Sequence, residues 1–165
     1  MAYDWSRFKL RIHIEGGIGE CYQRWCSAAG LSSWFLREVI FHSNAGEKRG
    51  ETDPVRPGDT YLWRWHGYPD EVQEKGTILS ANHKDELSFS FGPGGKVRVR
   101  FFTEHGLTCC ELEQFDIPTD ENGMTMFHLG CSKGWVFYLA NLKSIMEGGI
   151  DLRNKDTGLA DVINS

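Results

Sequence analysis

Near residue 120 the hydrophobic pattern of this sequence changes from the two-residue period of strands to the period of a helix. Before that point, apolar residues mostly alternate with polar ones, as in strands that bury one face. After it, one long amphipathic segment extends to Glu147. Each strand must cover its apolar face, and only this segment is long enough to cover them all. The sequence therefore predicts an α+β fold in which a curved antiparallel sheet wraps around a long C-terminal helix.

Turn residues separate the predicted strands and set their directions. Strands are expected at 8–14, 38–42, 61–66, 74–82, 86–91, 96–103 and 107–115. The short connections at 93–95 and 105–106 suit hairpins, so consecutive strands are predicted to be antiparallel. After the first strand, helical spacing predicts a helix over 18–29 that ends at Gly30, followed by a second helical turn over 31–35.

The long helix has a predicted start, a predicted end and one apolar face. Asp120 is expected to cap its N-terminus, and Gly148 and Gly149 to end it. Asn141 is predicted to lie off the apolar face. That face is formed by Met124, Phe127, Cys131, Trp135, Tyr138, Leu139, Leu142, Ile145 and Met146.

The whole chain, residues 1–165, is predicted to form a single domain. Its core is expected over residues 8–149, followed by a polar tail over 150–165. The segment 44–59 is polar and contains several glycines and prolines, which predicts a long loop or a loosely paired hairpin. Loops of this length in compact domains often cover a functional site.

Charge and hydropathy exclude several classes of partner. The formal charge of −5 and the pI near 5.7 argue against nucleic-acid binding, which normally leaves a basic surface. No stretch approaches the roughly 18 apolar residues that cross a bilayer, so no membrane span is predicted. The N-terminal residues lack the apolar stretch of a secretory signal, so a cytoplasmic location is expected.

Metal-binding and catalytic patterns are not found in the sequence. The five cysteines have no C-x-x-C spacing and the six histidines no H-x-x-x-H spacing, so neither a metal site nor a cofactor is predicted. Strand parity places Arg98 and Arg100 outward and puts Glu111 and Glu113 opposite Cys110. Because no pair of carboxylates is placed inward, no catalytic residue is predicted, and a protein without catalysis is favoured.

Aromatic residues make up 13% of the sequence, and this excess needs a location. Two interpretations are open and can coexist: the rings pack as core, or they line a cavity between the sheet and the long helix. Gly130 and Gly134 lie in the helix, where each glycine costs about 1 kcal/mol against alanine. They could let a strand approach closely or leave room for a ligand. The candidate ligand-binding residues are Tyr61, Trp63, Trp65, Phe89, Phe91, Phe101, Trp135, Tyr138, Leu139 and Leu142.

Several short segments, taken in their order and spacing, resemble a known family. They are CYQRW at 21–25, GLSSWF at 30–35, GDTY at 58–61, GTIL at 76–79, GWVFYLANLK at 134–143 and EGGIDLR at 147–153. The chain from about residue 8 to residue 153 resembles the START-like (SRPBCC) superfamily. Within it, the chain is most similar to homologues of the activator of heat-shock-protein ATPase. The resemblance implies the helix-grip fold and, by analogy with many relatives, an apolar ligand in the cavity.

Three functions follow as hypotheses from these patterns and this resemblance. The first is the binding of a hydrophobic or aromatic small molecule in the cavity. The second is a co-chaperone-like interaction with a heat-shock chaperone. The third is an enzyme of the polyketide cyclase or aromatase kind, for which Tyr61, His128 and Tyr138 are the residues to test. A monomer or a weak homodimer is expected, with Val136 and Phe137 as a possible dimer contact.

Overall fold

The computed structural model describes residues 3–159 and residue 162. Its strands are β1 (Phe8–Ile14), β2 (Glu38–His42), β3 (Thr60–Arg64), β4 (Gln73–Ala81), β5 (Glu86–Ser90), β6 (Lys96–Glu104) and β7 (Leu107–Phe115). Its helices are α1 (Ile18–Gln23), α2 (Ala28–Ser32) and α3 (Cys131–Met146), with a 3-10 turn at Gly92–Gly94 and a π-helical segment at Gly123–Gly130 that continues into α3. None of the helices in the described residues combines the length and the hydropathy of a membrane-spanning segment.

The seven strands form one antiparallel sheet in the order β1-β7-β6-β5-β4-β3-β2. Alternate residues face its concave side, where rings such as Trp63, Phe89 and Phe101 are buried. Helix α3 covers this side with the buried residues Trp135 and Leu142. The predicted α+β, helix-grip architecture is therefore confirmed.

The long helix starts where the sequence predicts. The Asp120 carboxylate accepts a hydrogen bond from the Gly123 backbone N–H at 2.7 Å, so Asp120 is the N-cap. The helix then takes eight residues of π-helical turns before it becomes regular at Cys131. A π-helical segment is rare and is often found at functional sites. At the other end Gly148 adopts a positive φ of 77°, as expected of a glycine that ends a helix.

The predicted helix over 18–29 is in fact two helices. Helix α1 ends at Gln23. Ser27 then caps α2 by accepting a hydrogen bond from the Gly30 backbone N–H at 3.0 Å. Gly30 therefore lies inside α2 and does not end a helix. A Cβ atom at Gly30 would lie 2.3 Å from the Gln23 carbonyl oxygen, so the close approach of α1 and α2 requires glycine there.

Asn141 is fully buried, although helical periodicity predicts it off the apolar face. Its side-chain amide donates to the Trp34 carbonyl at 2.6 Å and accepts from the Leu152 backbone N–H at 2.7 Å. Burial of a polar group is tolerated when it is fully hydrogen-bonded in this way. Asn141 thus joins α3, the end of α2 and the start of the polar tail.

The loop over 44–59 packs against α2 and the connection between α1 and α2. The Ala29 N–H donates to the Glu51 carbonyl and the Val55 N–H donates to the Cys26 carbonyl, both at 2.8 Å. The loop is closed at its base by an ion pair between Arg49 and the buried Asp59. It does not reach the cavities described below, so the expectation that it covers a site finds no support in its position.

Candidate ligand cavity

Two adjacent cavities lie between the sheet and α3. The inner one has a volume of about 140 Å³ and is walled by Phe35, Trp65, Phe91, Cys131, Gly134, Trp135 and Tyr138. The outer one has a volume of about 490 Å³ and is walled by Trp65, Tyr68, Val72, Glu74, Phe91, Pro93, Gly94, Met126, Phe127, Cys131, Gly134 and Tyr138. They share Trp65, Phe91, Cys131, Gly134 and Tyr138. The pair therefore offers one stepped, largely aromatic site.

Four of the predicted ligand-binding residues, Trp65, Phe91, Trp135 and Tyr138, line the inner cavity. The Trp135 indole N–H donates to the Gln114 side-chain oxygen at 3.0 Å, which fixes the ring. The ring of Phe91 lies 5.6 Å from that of Trp135, centroid to centroid. Trp65 follows the last residue of β3 and is half-buried, so it forms the rim of the cavity.

The other predicted residues, Tyr61, Trp63, Phe89, Phe101, Leu139 and Leu142, line neither cavity and pack in the core. Tyr61 stacks on Trp63 at 3.9 Å, and its hydroxyl donates to the Ser90 carbonyl at 2.5 Å. The Phe89 ring meets Trp63 edge to face at 5.1 Å. Both interpretations of the aromatic excess thus apply, each to a different part of the concave face.

Phe35 is a wall residue that sequence reasoning did not include. Its ring lies 5.0 Å from Trp135 and 4.8 Å from Tyr138, between these two rings and the sheet. It belongs to the connection between α2 and β2, where hydrophobic periodicity does not indicate which way a side chain points. The only available signal was its place beside Trp34 in a short turn, since adjacent large rings in a connection must pack against the core.

Gly134 leaves an opening in the wall that the fold does not require. A Cβ atom at this position would meet nothing within 4 Å, and the residue lines both cavities. A glycine in the middle of a helix costs about 1 kcal/mol relative to alanine. Because no neighbouring atom excludes a side chain here, packing does not explain the glycine. Its position coincides with the space between the helix and the sheet.

Replacing Gly134 with alanine is expected to raise the free energy of unfolding by about 1 kcal/mol, since alanine favours the helix and meets no clash. Urea titration of the two proteins measures the difference. Gly130→Ala is the matched control: its Cβ would lie 3.6 Å from the Thr125 carbonyl, an ordinary contact, and the residue lines neither cavity. A Gly134→Ala protein less stable than the natural one would show that the helix needs glycine there.

Glu74 is the one charged side chain among the residues that wall the cavities. It pairs with Trp63 in the β3–β4 register and therefore shares its inward face. Burial raises the pKa of its carboxyl group, which the Lys75 backbone N–H, donating at 3.2 Å, offsets only in part. The sequence contained the signal, because Glu74 and the buried Ile78 have the same parity in one strand.

Burial raises the pKa of two other groups in the wall, Cys131 and Tyr138. Burial raises the pKa of the Cys131 thiol, so this cysteine is not an activated nucleophile. Burial also raises the pKa of Tyr138, whose hydroxyl has no hydrogen-bond partner among the described residues. Tyr138 therefore offers a bound molecule a free hydroxyl, and Glu74 offers a carboxylate.

His128 does not reach the cavity mouth. It is buried against the N-terminal segment, where its two ring nitrogens lie 2.9 Å from the Tyr3 hydroxyl and 2.9 Å from the Trp5 carbonyl. Its ring packs edge to face with that of Phe8 at 5.3 Å. His128 therefore holds the segment before β1 against the start of the long helix.

A group with metal-binding side chains lies on the opposite, convex side of the sheet. The ligand atoms of His13, Glu104 and Cys109 lie within 4.8 Å of one another. The guanidinium of Arg11 donates to both Glu104 carboxylate oxygens, at 2.7 and 2.8 Å. Because this guanidinium already supplies the positive charge, the group is satisfied as an ion-pair cluster.

Comparisons with known proteins agree with this architecture. No protein-family model and no curated protein sequence matches the chain. Among solved structures, a protein from Staphylococcus saprophyticus matches with a TM-score of 0.69 at 15% identity, over 89% of this chain and 96% of that one. The Aha1 dimer from Colwellia psychrerythraea matches with a TM-score of 0.67 at 15% identity, over 87% and 97%.

A third solved structure with a similar fold comes from a biosynthetic gene locus. DynU16, a protein in the dynemicin biosynthetic locus, matches with a TM-score of 0.67 at 13% identity, over 91% of this chain and 50% of that one. Similarity at these identities establishes the fold. The chain thus has the fold of Aha1-like, START-like proteins, as its sequence resemblance predicts.

Proposed function

We propose that this protein binds a hydrophobic or aromatic small molecule in the cavity between the sheet and α3. The observation that carries the proposal is the open wall at Gly134, in the middle of a helix that would be more stable with a side chain. Binding sites for small molecules are typically concave, mostly apolar and fitted with a few polar groups. The rings of Trp65, Phe91 and Trp135 supply the apolar surface, and the Tyr138 hydroxyl supplies a polar group.

The size of the site suits a molecule with one or two rings. The inner cavity of about 140 Å³ would hold a ring, and the outer cavity of about 490 Å³ would hold the rest of the molecule. Flat rings on three sides favour a planar ligand, because stacked or edge-to-face contacts stabilise aromatic pairs by about 0.5–1.5 kcal/mol beyond simple burial.

The test is the binding of naphthylmethanol, a neutral two-ring probe, measured by calorimetry on the natural protein and on Gly134→Leu. The leucine side chain would project into the part that the two cavities share. Overpacking of this kind costs roughly 1–3 kcal/mol. The affinity of the Gly134→Leu variant for the probe is therefore expected to fall about 10-fold or more. The control is Gly130→Leu, which changes the helix outside both cavities and should leave affinity unchanged.

Equal affinity in Gly134→Leu and the natural protein would place the probe elsewhere and remove the proposal. Absence of any probe binding to the natural protein would also count against it. Mass spectrometry of the organic extract of natively purified protein is the companion measurement. A planar apolar molecule that co-purifies with the natural chain and not with Gly134→Leu is the expected result.

The cyclase-like alternative draws little support from the three residues chosen to test it. Tyr61 is hydrogen-bonded to Ser90 in the core, and His128 is held by Tyr3 and Trp5 away from the cavity. Of the three, Tyr138 alone lines the cavity.

A further inference from the structure

We propose that the ligand is a hydrophobic amine whose protonated nitrogen pairs with the carboxylate of Glu74. This inference rests on the proposed function, because it names the chemical class that the same cavity would select. It is carried by the position of one carboxylate in an otherwise uncharged aromatic wall.

Glu74 lies in the wall of the outer cavity, on the concave face of the sheet. The β3–β4 register places it opposite Trp63, so its side chain lies on the concave face of the sheet. The turn at Gly92–Gly94 packs against it so closely that a Cβ atom at Gly92 would lie 2.6 Å from the carboxylate Oε1. The carboxylate therefore lies against the β5–β6 turn, in the wall of the outer cavity.

Glu74 has no cation to balance its charge. Over residues 3–159 it forms no ion pair, and its only hydrogen bond comes from the Lys75 backbone N–H. The three buried carboxylates of the described residues behave differently: Glu111 pairs with Arg100, Glu113 with Arg98 and Asp59 with Arg49. An acidic group placed inward without a partner costs stability, so the natural partner is expected to arrive from outside the chain.

The aromatic rings that line the outer cavity together with Glu74 favour the same ligand charge. Trp65, Phe91 and Tyr138 line both cavities and present rings to the shared space. A cation over an aromatic face is attracted by the negative face of the ring, and more strongly when it is removed from water. A carboxylate among several rings is the arrangement that recognises an ammonium group, while an anionic ligand would be repelled by Glu74.

Two isosteric probes separate charge recognition from burial of the ring. Naphthylmethylamine carries the cation at pH 7, and naphthylmethanol has the same shape without charge. The natural protein is expected to bind the amine about 10-fold more tightly than the alcohol, as hydrogen bonds to charged groups contribute on that scale. Glu74→Gln should remove this preference, so that the two probes bind with similar affinity. The control Glu71→Gln removes the same charge from an exposed position outside both cavities and should keep the preference.

The pH dependence gives a second readout. Burial raises the pKa of Glu74, and a bound cation would lower it again, so amine binding releases a proton as pH falls toward that pKa. The preference for the amine is therefore expected to decline on acidification in the natural protein, and to stay flat in Glu74→Gln.

The outcomes distinguish failure of this inference from failure of the proposed function. If the alcohol binds in a Gly134-dependent way and the amine binds no better, the cavity stands and the amine class is wrong. A preference that survives in Glu74→Gln also overturns the inference. If neither probe binds the natural protein, the proposed function fails first and the inference fails with it.

Discussion

Replacing Arg153 with alanine is expected to lower the free energy of unfolding by about 3 kcal/mol, the scale seen when one partner of a buried ion pair is removed. Only 5% of the Arg153 side chain is exposed. Its guanidinium donates to the carbonyls of Ser32 and Leu36 at 3.0 and 3.1 Å and to that of Ser33 at 3.2 Å. These carbonyls belong to the end of α2 and the turn after it, where the helix leaves acceptors unsatisfied.

Arg153 also binds Asp151, which carries the balancing charge. Nε and Nη2 of Arg153 lie 2.9 and 2.7 Å from the two carboxylate oxygens of Asp151. Alanine would leave three carbonyls without their donor and Asp151 without its guanidinium. Because the turn between Ser32 and Leu36 carries Phe35, the wall of the inner cavity is expected to loosen as well.

The measurements are urea titration for stability and amide hydrogen exchange for the Phe35 turn. Exchange at the amides of Phe35 and Leu36 should accelerate in Arg153→Ala. Lys155→Ala is the matched control: Lys155 also pairs with Asp151 at 3.0 Å, but its side chain is 56% exposed, and a change below about 0.5 kcal/mol is expected. Equal effects of the two variants would show that the hydrogen bonds from Arg153 to the carbonyls at the end of α2 contribute nothing to stability.

Acid should reduce the effect of Arg153→Ala. Burial raises the pKa of Asp151, but hydrogen bonds from Arg153 and Lys155 outweigh it and hold that pKa well below the usual range. A carboxyl group with a lowered folded-state pKa contributes stability above its unfolded pKa, about 3.9, and loses it as pH falls further. The stability difference between the natural protein and Arg153→Ala is therefore expected to shrink below about pH 4.

The fold could be predicted from the sequence because hydrophobic periodicity shows which face of each strand or helix is buried. The alternation in β1 and in β3 to β7 gives the sheet, and the long apolar stripe gives α3. Boundaries inside the short helices could not be predicted, because Ser27 and Gly30 act through a contact between α1 and α2 that has no local period. Asn141 was misplaced for a related reason, since its burial depends on Trp34 and Leu152, which are distant in sequence.

The cavity wall could be predicted only in part, because period gives the face of a residue and not its depth. Trp63 and Trp65 have the same parity, yet Trp63 is packed under Phe89 and Trp65 lies at the cavity rim. The depth of each ring depends on packing from other elements. Phe35, which comes from a connection between elements, packs against both rings, 5.7 Å from Trp63 and 6.0 Å from Trp65. No pattern within a single strand or helix contains that information.

Gly134 and Glu74 are the two wall residues whose presence works against the stability of the chain alone. A helical glycine without a steric reason and an inward carboxylate without a cation each lower the stability of the chain by itself. Such residues are expected at functional sites, where local stability is given up for binding. Both occur on the wall of one cavity, which is why the proposed ligand and its charge are argued from these two residues.

A second large effect on stability is expected at the base of the loop over 44–59, far from the cavity. Asp59 is 1% exposed, and its carboxylate accepts hydrogen bonds from the Arg49 guanidinium and from the Arg56 backbone N–H at 2.8 Å. Arg49→Met would leave a buried carboxylate without a cation. This should lower the free energy of unfolding by about 3–5 kcal/mol, the usual result of removing one member of a buried pair.

The double variant Arg49→Met/Asp59→Leu separates the need for the pair from the cost of breaking it. When both charges are replaced by apolar groups of similar size, no charge is left buried, so much of the stability lost in Arg49→Met is expected to return. Thermal and urea unfolding of the single and double variants give the coupling energy of the pair. Because this loop lines neither cavity, folded Arg49→Met protein should bind naphthylmethanol as the natural protein does. A loss of probe binding in that folded variant would mean that the loop, and not only the helix and sheet, shapes the site.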